Sequence, residues 1–178
     1  MIERTIASRY AQALFDIAQE RGELERFGNE WQTVVDAING DAQVRQAFIG
    51  RVISAHAKKE LAEKTFADKV DPVVLGLLCL IFDKSREEYL KAILDEYRRL
   101  EDDKNRILNV ELISAAELDA SQEEALAKAL GAATQKTAHF KKSINPALIG
   151  GFMMKIGDTV FDGSVSGQLA KMQQQLVR

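Results

Sequence analysis

Few side chains here have the type and spacing that chemistry requires. The sequence contains two histidines, His56 and His139, and one cysteine, Cys79, which stand far apart and match no metal-ligand spacing. His56 falls near the start of a charged helical stretch and is expected to be solvated, while His139 falls in a strand pattern and is expected to be half-buried. Cys79 lies in the apolar run VVLGLLCLIF, where the expectation is a buried, inert thiol. The pentad GSVSG, Gly163 to Gly167, resembles a nucleophile elbow in its glycines, but its central residue is Val165 and not serine. Gly150, Gly151 and Gly157 match neither spacing of a phosphate-binding loop. The pairs Glu87-Glu88 and Asp102-Asp103 lie in charged stretches that solvation explains. No acid–base pair, nucleophile or metal centre emerges. The expectation is a binding or coupling protein, not an enzyme, with no cofactor and no small-molecule substrate.

The residues with the most definite roles are structural, and they cluster between Asn145 and Met172. Phe152, Met154 and Ile156 alternate with Met153 and Lys155, the period of a strand with one apolar face. Gly157-Asp158 is a two-residue hairpin turn, and Thr159 to Phe161 is the return strand. Asp162-Gly163 ends that strand, and Ser164 is placed to cap a helix whose stripe is Val165, Leu169, Met172 and Leu176. Gly150-Gly151 permits a sharp bend or the close approach of another backbone.

Six helices precede this device. Thr5 caps the first, whose stripe of Ile6, Tyr10, Leu14 and Ile17 is widened by Ala7, Ala11, Phe15 and Ala18 to about half the circumference, more than one core requires. The second runs from Glu23 to Asn39-Gly40, a short third from Asp41 to Ile49, and a charged fourth follows Ser54. Asp71-Pro72 opens the fifth with a capping side chain and proline at the first helical position. Its span, Val73 to Phe82, is apolar all round and is expected to be covered on every side. Gly76 inside it costs about 1 kcal/mol against alanine, which makes sense where another helix packs close. The sixth, from Arg86 to Lys104, carries Tyr89, Leu90, Ile93, Leu94, Tyr97 and Leu100 on one face.

After Asn105 the period changes. Leu108, Val110 and Leu112 alternate as a strand, Ser121 with Glu124 forms a capping box for a helix, and a second strand spans Thr137 to Ile144. The expected architecture is mainly α: an N-terminal six-helix bundle over 1–105, followed by a small α+β domain over 106–178. The apolar surplus on the first and fifth helices suggests a groove for an amphipathic helix of another chain, with Ala7 and Ala11 allowing close approach. Burial of both outer faces within the fold would overturn that expectation.

The chain is 178 residues with a net charge of −3. Up to Asn105 there are sixteen Lys/Arg against twenty Asp/Glu, and beyond it eight against seven. The acidic first part argues against an RNA-binding bundle of the transcription-antitermination kind, which needs a basic face. The apolar run around Cys79 is about half the length of a bilayer crossing, and no apolar leader follows Met1.

The runs Leu148-Ile149-Gly150-Gly151, Ile156-Gly157-Asp158, Phe161-Asp162-Gly163-Ser164-Val165 and Gly167-Gln168-Leu169 resemble the C-terminal signature of the delta subunits of F-type ATP synthases. Arg9-Tyr10-Ala11 with Ala13-Leu14-Phe15 is similar to the family's first-helix motif. The resemblance implies a non-catalytic stator subunit. Its bundle would receive the N-terminal helices of the alpha subunits through Tyr10, Ala13, Leu14 and Ile17, with Val74, Leu77 and Leu78 from the fifth helix. Its second domain, shaped by Gly150, Gly151, Gly157, Asp158, Asp162, Gly163 and Ser164, would meet the C-terminal ends of the peripheral-stalk b subunits. It also implies attachment to the cytoplasmic face of a bacterial membrane through the complex alone, and no nucleic-acid partner. Leu14→Asp is expected to detach the catalytic head while leaving its ATP hydrolysis intact.

Overall fold

The computed structural model describes residues 2–50, 53–117, 119–157 and 159–176. Its elements are helices α1 (Ile2–Arg21), α2 (Leu24–Gly40), α3 (Ala42–Ile49), α4 (Ala55–Phe66), α5 (Pro72–Asp83) and α6 (Leu90–Lys104), then strand β1 (Ile107–Ser114), helix α7 (Ala120–Thr134), strands β2 (Thr137–Ile144), β3 (Phe152–Ile156) and β4 (Thr159–Asp162), and helix α8 (Val165–Leu176). A 3-10 turn, Glu87–Tyr89, leads into α6, and another, Pro146–Leu148, follows β2. The fold is mainly helical with one small sheet, as the periodicities imply. The chain forms two compact units, Met1–Glu101 and Asp102–Arg178.

Caps and glycines set most boundaries in the first unit. Asp71 accepts from the Val73 amide at 2.9 Å with Pro72 at the first helical position. Ser54 accepts from Ala57 at 3.3 Å, and Gly22, at φ +71°, turns the chain from α1 to α2. Helix α1 begins at Ile2, ahead of the expected cap at Thr5. The core is one cluster from Ala7 to Tyr97, with Phe27, Trp31, Phe66, Phe82 and Tyr97 among its largest members. Its polar atoms are matched. Trp31 Nε1 donates to Leu90 O, Tyr97 Oη donates to Leu24 O at 2.8 Å, and Lys58 meets Glu87 at 2.7 Å where both side chains are buried. Burial pushes the Tyr97 hydroxyl well above its ordinary pKa.

In the second unit the sheet order is β2-β1-β3-β4, with β2 parallel to β1 and the other pairs antiparallel. The parallel pair requires a crossover, which α7 supplies; it packs against β2. The capping box of α7 is Asp119 with Gln122, whose Oε1 accepts from the Asp119 amide at 3.1 Å, not Ser121 with Glu124. Val110, Leu112 and Ser114 point to the buried face, and the register sets Ile156, Met154 and Phe152 beside them. Ile156 pairs with Thr159, and Gly157, at φ +56°, opens the turn between them; Asp158, the second residue expected there, lies outside the described residues.

Candidate functional site: the outer faces of two antiparallel helices

Helices α1 and α5 pack side by side in opposite senses. At one end Arg21, the last residue of α1, pairs with Asp71, the cap of α5, at 3.3 Å. At the other, Arg86, just beyond α5, donates to the Tyr10 hydroxyl at 3.0 Å and lies 5.7 Å from the centre of its ring. The inner sides of both helices belong to the core, through Ala7, Ala11, Leu14, Phe15 and Ala18 from α1 and Val74, Leu78, Ile81 and Phe82 from α5.

Their outer sides remain apolar. On α1, Ile6, Tyr10, Ala13 and Ile17 recur at helical spacing; Ile6 and Tyr10 are half-buried, Ala13 is exposed, and Ile17 is 36% exposed. On α5, Val73, Gly76, Leu77 and Leu80 form the corresponding stripe, with Val73 and Leu77 half-buried, Gly76 exposed and Leu80 45% exposed. The expectation that α5 is covered on every side therefore fails along this stripe, and the condition that would have removed the groove, burial of both outer faces, is not met.

Three of the expected groove residues lie elsewhere. Leu14, Val74 and Leu78 are 2%, 0% and 0% exposed, because each is on the inward side of its helix and packs in the core. They pack in the core beneath the exposed stripes and offer no surface to a partner. An aspartate at Leu14 would place an unpaired charge in the core and unfold the bundle, so that variant does not test binding. Tyr10, Ala13, Ile17 and Leu77 are accessible. Leu80 and Val73, outside the expected set, share the exposed stripe, and their spacing with Gly76 and Leu77, at i, i+3, i+4 and i+7, is legible in the run itself. Cys79 is half-buried and not fully enclosed; burial pushes its thiol pKa up, and the nearby carboxylate of Glu63 adds to the shift.

The glycine-rich signature builds the second unit. At φ +75°, Gly151 occupies backbone space that glycine enters freely, and a Cβ there would run into the Gly163 carbonyl. A Cβ on Gly150 would sit 3.0 Å from Val165 Cγ2. Asp162 Oδ1 accepts from the Ser164 amide at 2.9 Å and from its hydroxyl at 2.6 Å, while Ser164 Oγ accepts from Gly167 N at 3.0 Å as the helix cap. Ser164 is buried, and these bonds account for it fully.

The signature's unanticipated residue is Ile149. It is 71% exposed at φ +65°, and the Leu148 carbonyl accepts from the Gly150 amide at 2.7 Å across it. This is a positive-φ γ-turn, strained for any side chain and most for a β-branched one. Ile149 rims a cavity of about 540 Å³ lined also by Ala115, Ala125, Leu126, Gly151 and Phe152.

Among the described residues no group of histidine, cysteine or carboxylate side chains is arranged to hold a metal, and no helix is long and apolar enough to cross a membrane. His56 is solvent-exposed and within 3.3 Å of Glu60, and His139 is exposed, not half-buried.

A family model described as "ATP synthase delta (OSCP) subunit" matches residues 6–176. The chain is similar to the ATP synthase subunit delta of Syntrophomonas wolfei, with 35% identity over 99% of this chain and 97% of that one. It is likewise similar to that of Chlorobium phaeovibrioides, with 39% identity over 97% and 96%. Among solved structures, a chain of the Toxoplasma gondii mitochondrial ATP synthase hexamer shares the fold, with a TM-score of 0.68 over 97% of each chain at 22% identity.

Proposed function

The chain belongs to the ATP synthase delta (OSCP) subunit family, components of F-type ATP synthases, and from that premise we propose that it is the stator link between the catalytic head and the peripheral stalk. The bundle receives an amphipathic N-terminal helix of an alpha subunit between α1 and α5. The second unit meets the C-terminal ends of the b subunits. The protein itself performs no chemistry and reaches the cytoplasmic face of the bacterial membrane only through the complex.

The mechanism is mechanical. Ion flow turns the rotor, and the reaction torque on the alpha–beta head must be resisted for rotation to become ATP synthesis. A non-rotating attachment at each end of this subunit supplies that resistance. Attachment at the groove draws on apolar burial at about 25 cal/mol per Å², so a stripe of Tyr10, Ile17, Leu77 and Leu80 provides strength while flanking charges set register. The observation that carries the reading is the pair of apolar outer faces on adjacent antiparallel helices, a surface that fits a third helix.

Calorimetric titration with a synthetic peptide of the same organism's alpha-subunit N-terminal helix tests it, beside a scrambled peptide. The expected result is tight binding with a negative heat-capacity change, weakened at least roughly tenfold by Ile17→Asp or Leu80→Asp, both exposed enough to leave the fold intact. A wild-type protein that ignores the peptide, or a folded Ile17→Asp, Leu80→Asp double variant that binds normally, would reject the groove.

A further inference from the structure

Glycine inside a helix costs about 1 kcal/mol relative to alanine, so each one asks for a reason. Gly28, in α2, has one: a Cβ there would meet Arg98 Nη1 at 2.9 Å and Tyr97 Cε1 at 3.0 Å, so α6 requires its absence. Gly167, in α8, has another, since a Cβ would collide with the Asp162 carboxylate that organises the helix start. Gly76, in the middle of α5, has neither. A Cβ at Gly76 would meet nothing within 4 Å, and its φ is not positive, so no left-handed backbone demands glycine. It is solvent-exposed, at the centre of the stripe formed with Val73, Leu77 and Leu80.

We propose that Gly76 is the specificity-determining notch of the groove: the point where the docked alpha-subunit helix comes closest to α5 and seats a bulky apolar side chain. This rests on the helix-receptor reading above and names the position that selects the partner's register. Val73 lies three residues before the notch and Leu80 four after it, so both are its near neighbours on the helical face, while Leu77 flanks that face one residue on. A knob entering there contacts side-chain walls on both sides and α5 backbone below. Without a Cβ the axes approach more closely than the 8–10 Å usual for packed helices. An aliphatic or aromatic knob fits this notch. A charged one would lose its water without gaining a partner, because Val73, Leu77 and Leu80 supply none.

The test exploits effects of opposite sign. Gly76→Ala removes the helix penalty, so the full-length variant is expected to unfold roughly 4 °C or more higher than wild type. If Gly76 is the approach point, the same variant binds the alpha-subunit peptide about tenfold more weakly, and Gly76→Leu, which fills the notch, loses binding by about a hundredfold. Leu80→Asp is the control for the groove as a whole. If Gly76→Ala and Gly76→Leu both bind as wild type does while Leu80→Asp does not, the notch is overturned and the groove stands. Wild-type protein that binds no peptide overturns both. Weaker binding accompanied by a lower unfolding temperature would mean that Gly76 serves the fold, which also rejects the proposal.

Discussion

The bundle and the α+β unit answer the same problem differently. In the bundle, apolar residues from all six helices and the Val70 loop close around Trp31, Phe82 and Tyr97, and the apolar surface left over is concentrated on the outer sides of α1 and α5, with Leu61 elsewhere. Among the described residues of the second unit, Val110, Leu112 and Leu148 are the buried apolar side chains, α7 buries none of its residues, and Ile144, Ile149, Val160, Phe161, Val165, Leu169 and Met172 are exposed. The bundle closes its own core and carries the exposed apolar stripes of α1 and α5 in addition. The second unit leaves these seven large apolar side chains exposed, a surface open to a partner.

The difference can be broken most forcefully from the bundle side. Leu78 is fully enclosed, so Leu78→Ala is expected to destabilise the bundle by about 3 kcal/mol. Trp31, the chain's one tryptophan, sits in that core and reports the bundle's unfolding in urea without contribution from the second unit. A loss below about 1 kcal/mol would mean that the bundle core is looser than its burial suggests.

Gly151→Ala reverses the location. Its positive φ and the Gly163 carbonyl beneath it make a side chain costly, with an expected loss of about 2 kcal/mol confined to the second unit. Hydrogen exchange at the β1 amides should quicken while the Trp31 transition stays in place. Movement of both transitions together would show that the units unfold as one, and would remove the basis of the contrast.

How much of this could be read beforehand depends on where the determining contacts lie. Asp71-Pro72, Ser54 and Ser164 act within a few residues of themselves, and each starts the helix its sequence context announces. The capping box of α7 is less legible, since Asp119–Gln122 and Ser121–Glu124 both satisfy the spacing and only the extended backbone at Asp119 selects the first. Helix faces are harder still. The breadth of the apolar surface on α1 and α5 is evident from residue types, but which residues face inward depends on neighbours distant in sequence, so Leu14, Val74 and Leu78 go to the core and Leu80 to the surface. The buried Lys58–Glu87 pair and the positive φ of Ile149 leave no local trace at all: one joins residues twenty-nine apart, and the other follows from how Gly150 and Gly151 thread past Gly163 and Val165.

Ile149 offers a smaller and opposite effect. Replacement by glycine relieves a β-branched side chain of its positive φ, offset in part by the greater freedom of glycine in the unfolded chain, so Ile149→Gly is expected to stabilise the second unit by about 1 kcal/mol. Slower exchange at β1 would register it. Because the side chain is exposed, little packing is lost with it, and a destabilised variant would instead mean that Ile149 closes the adjoining cavity.

The smallest expected change isolates the contrast most cleanly. Leu169→Ala in α8 is the same chemical substitution as Leu78→Ala in α5, but Leu169 is 52% exposed. Much of its apolar surface is already in water in the native state, and alanine is the better helix former, so the two small terms nearly cancel and the second unit should change by less than about 0.5 kcal/mol. Exchange at the β1 amides measures it. A loss above about 1.5 kcal/mol would place Leu169 in a packed core and make the second unit as self-contained as the bundle. A negligible loss, combined with weaker capture of a peptide from the C-terminal end of the b subunit, would assign the exposed stripe of Val165, Leu169 and Met172 to the stalk, because a side chain that contributes nothing to its own fold yet matters to a complex is acting on its partner.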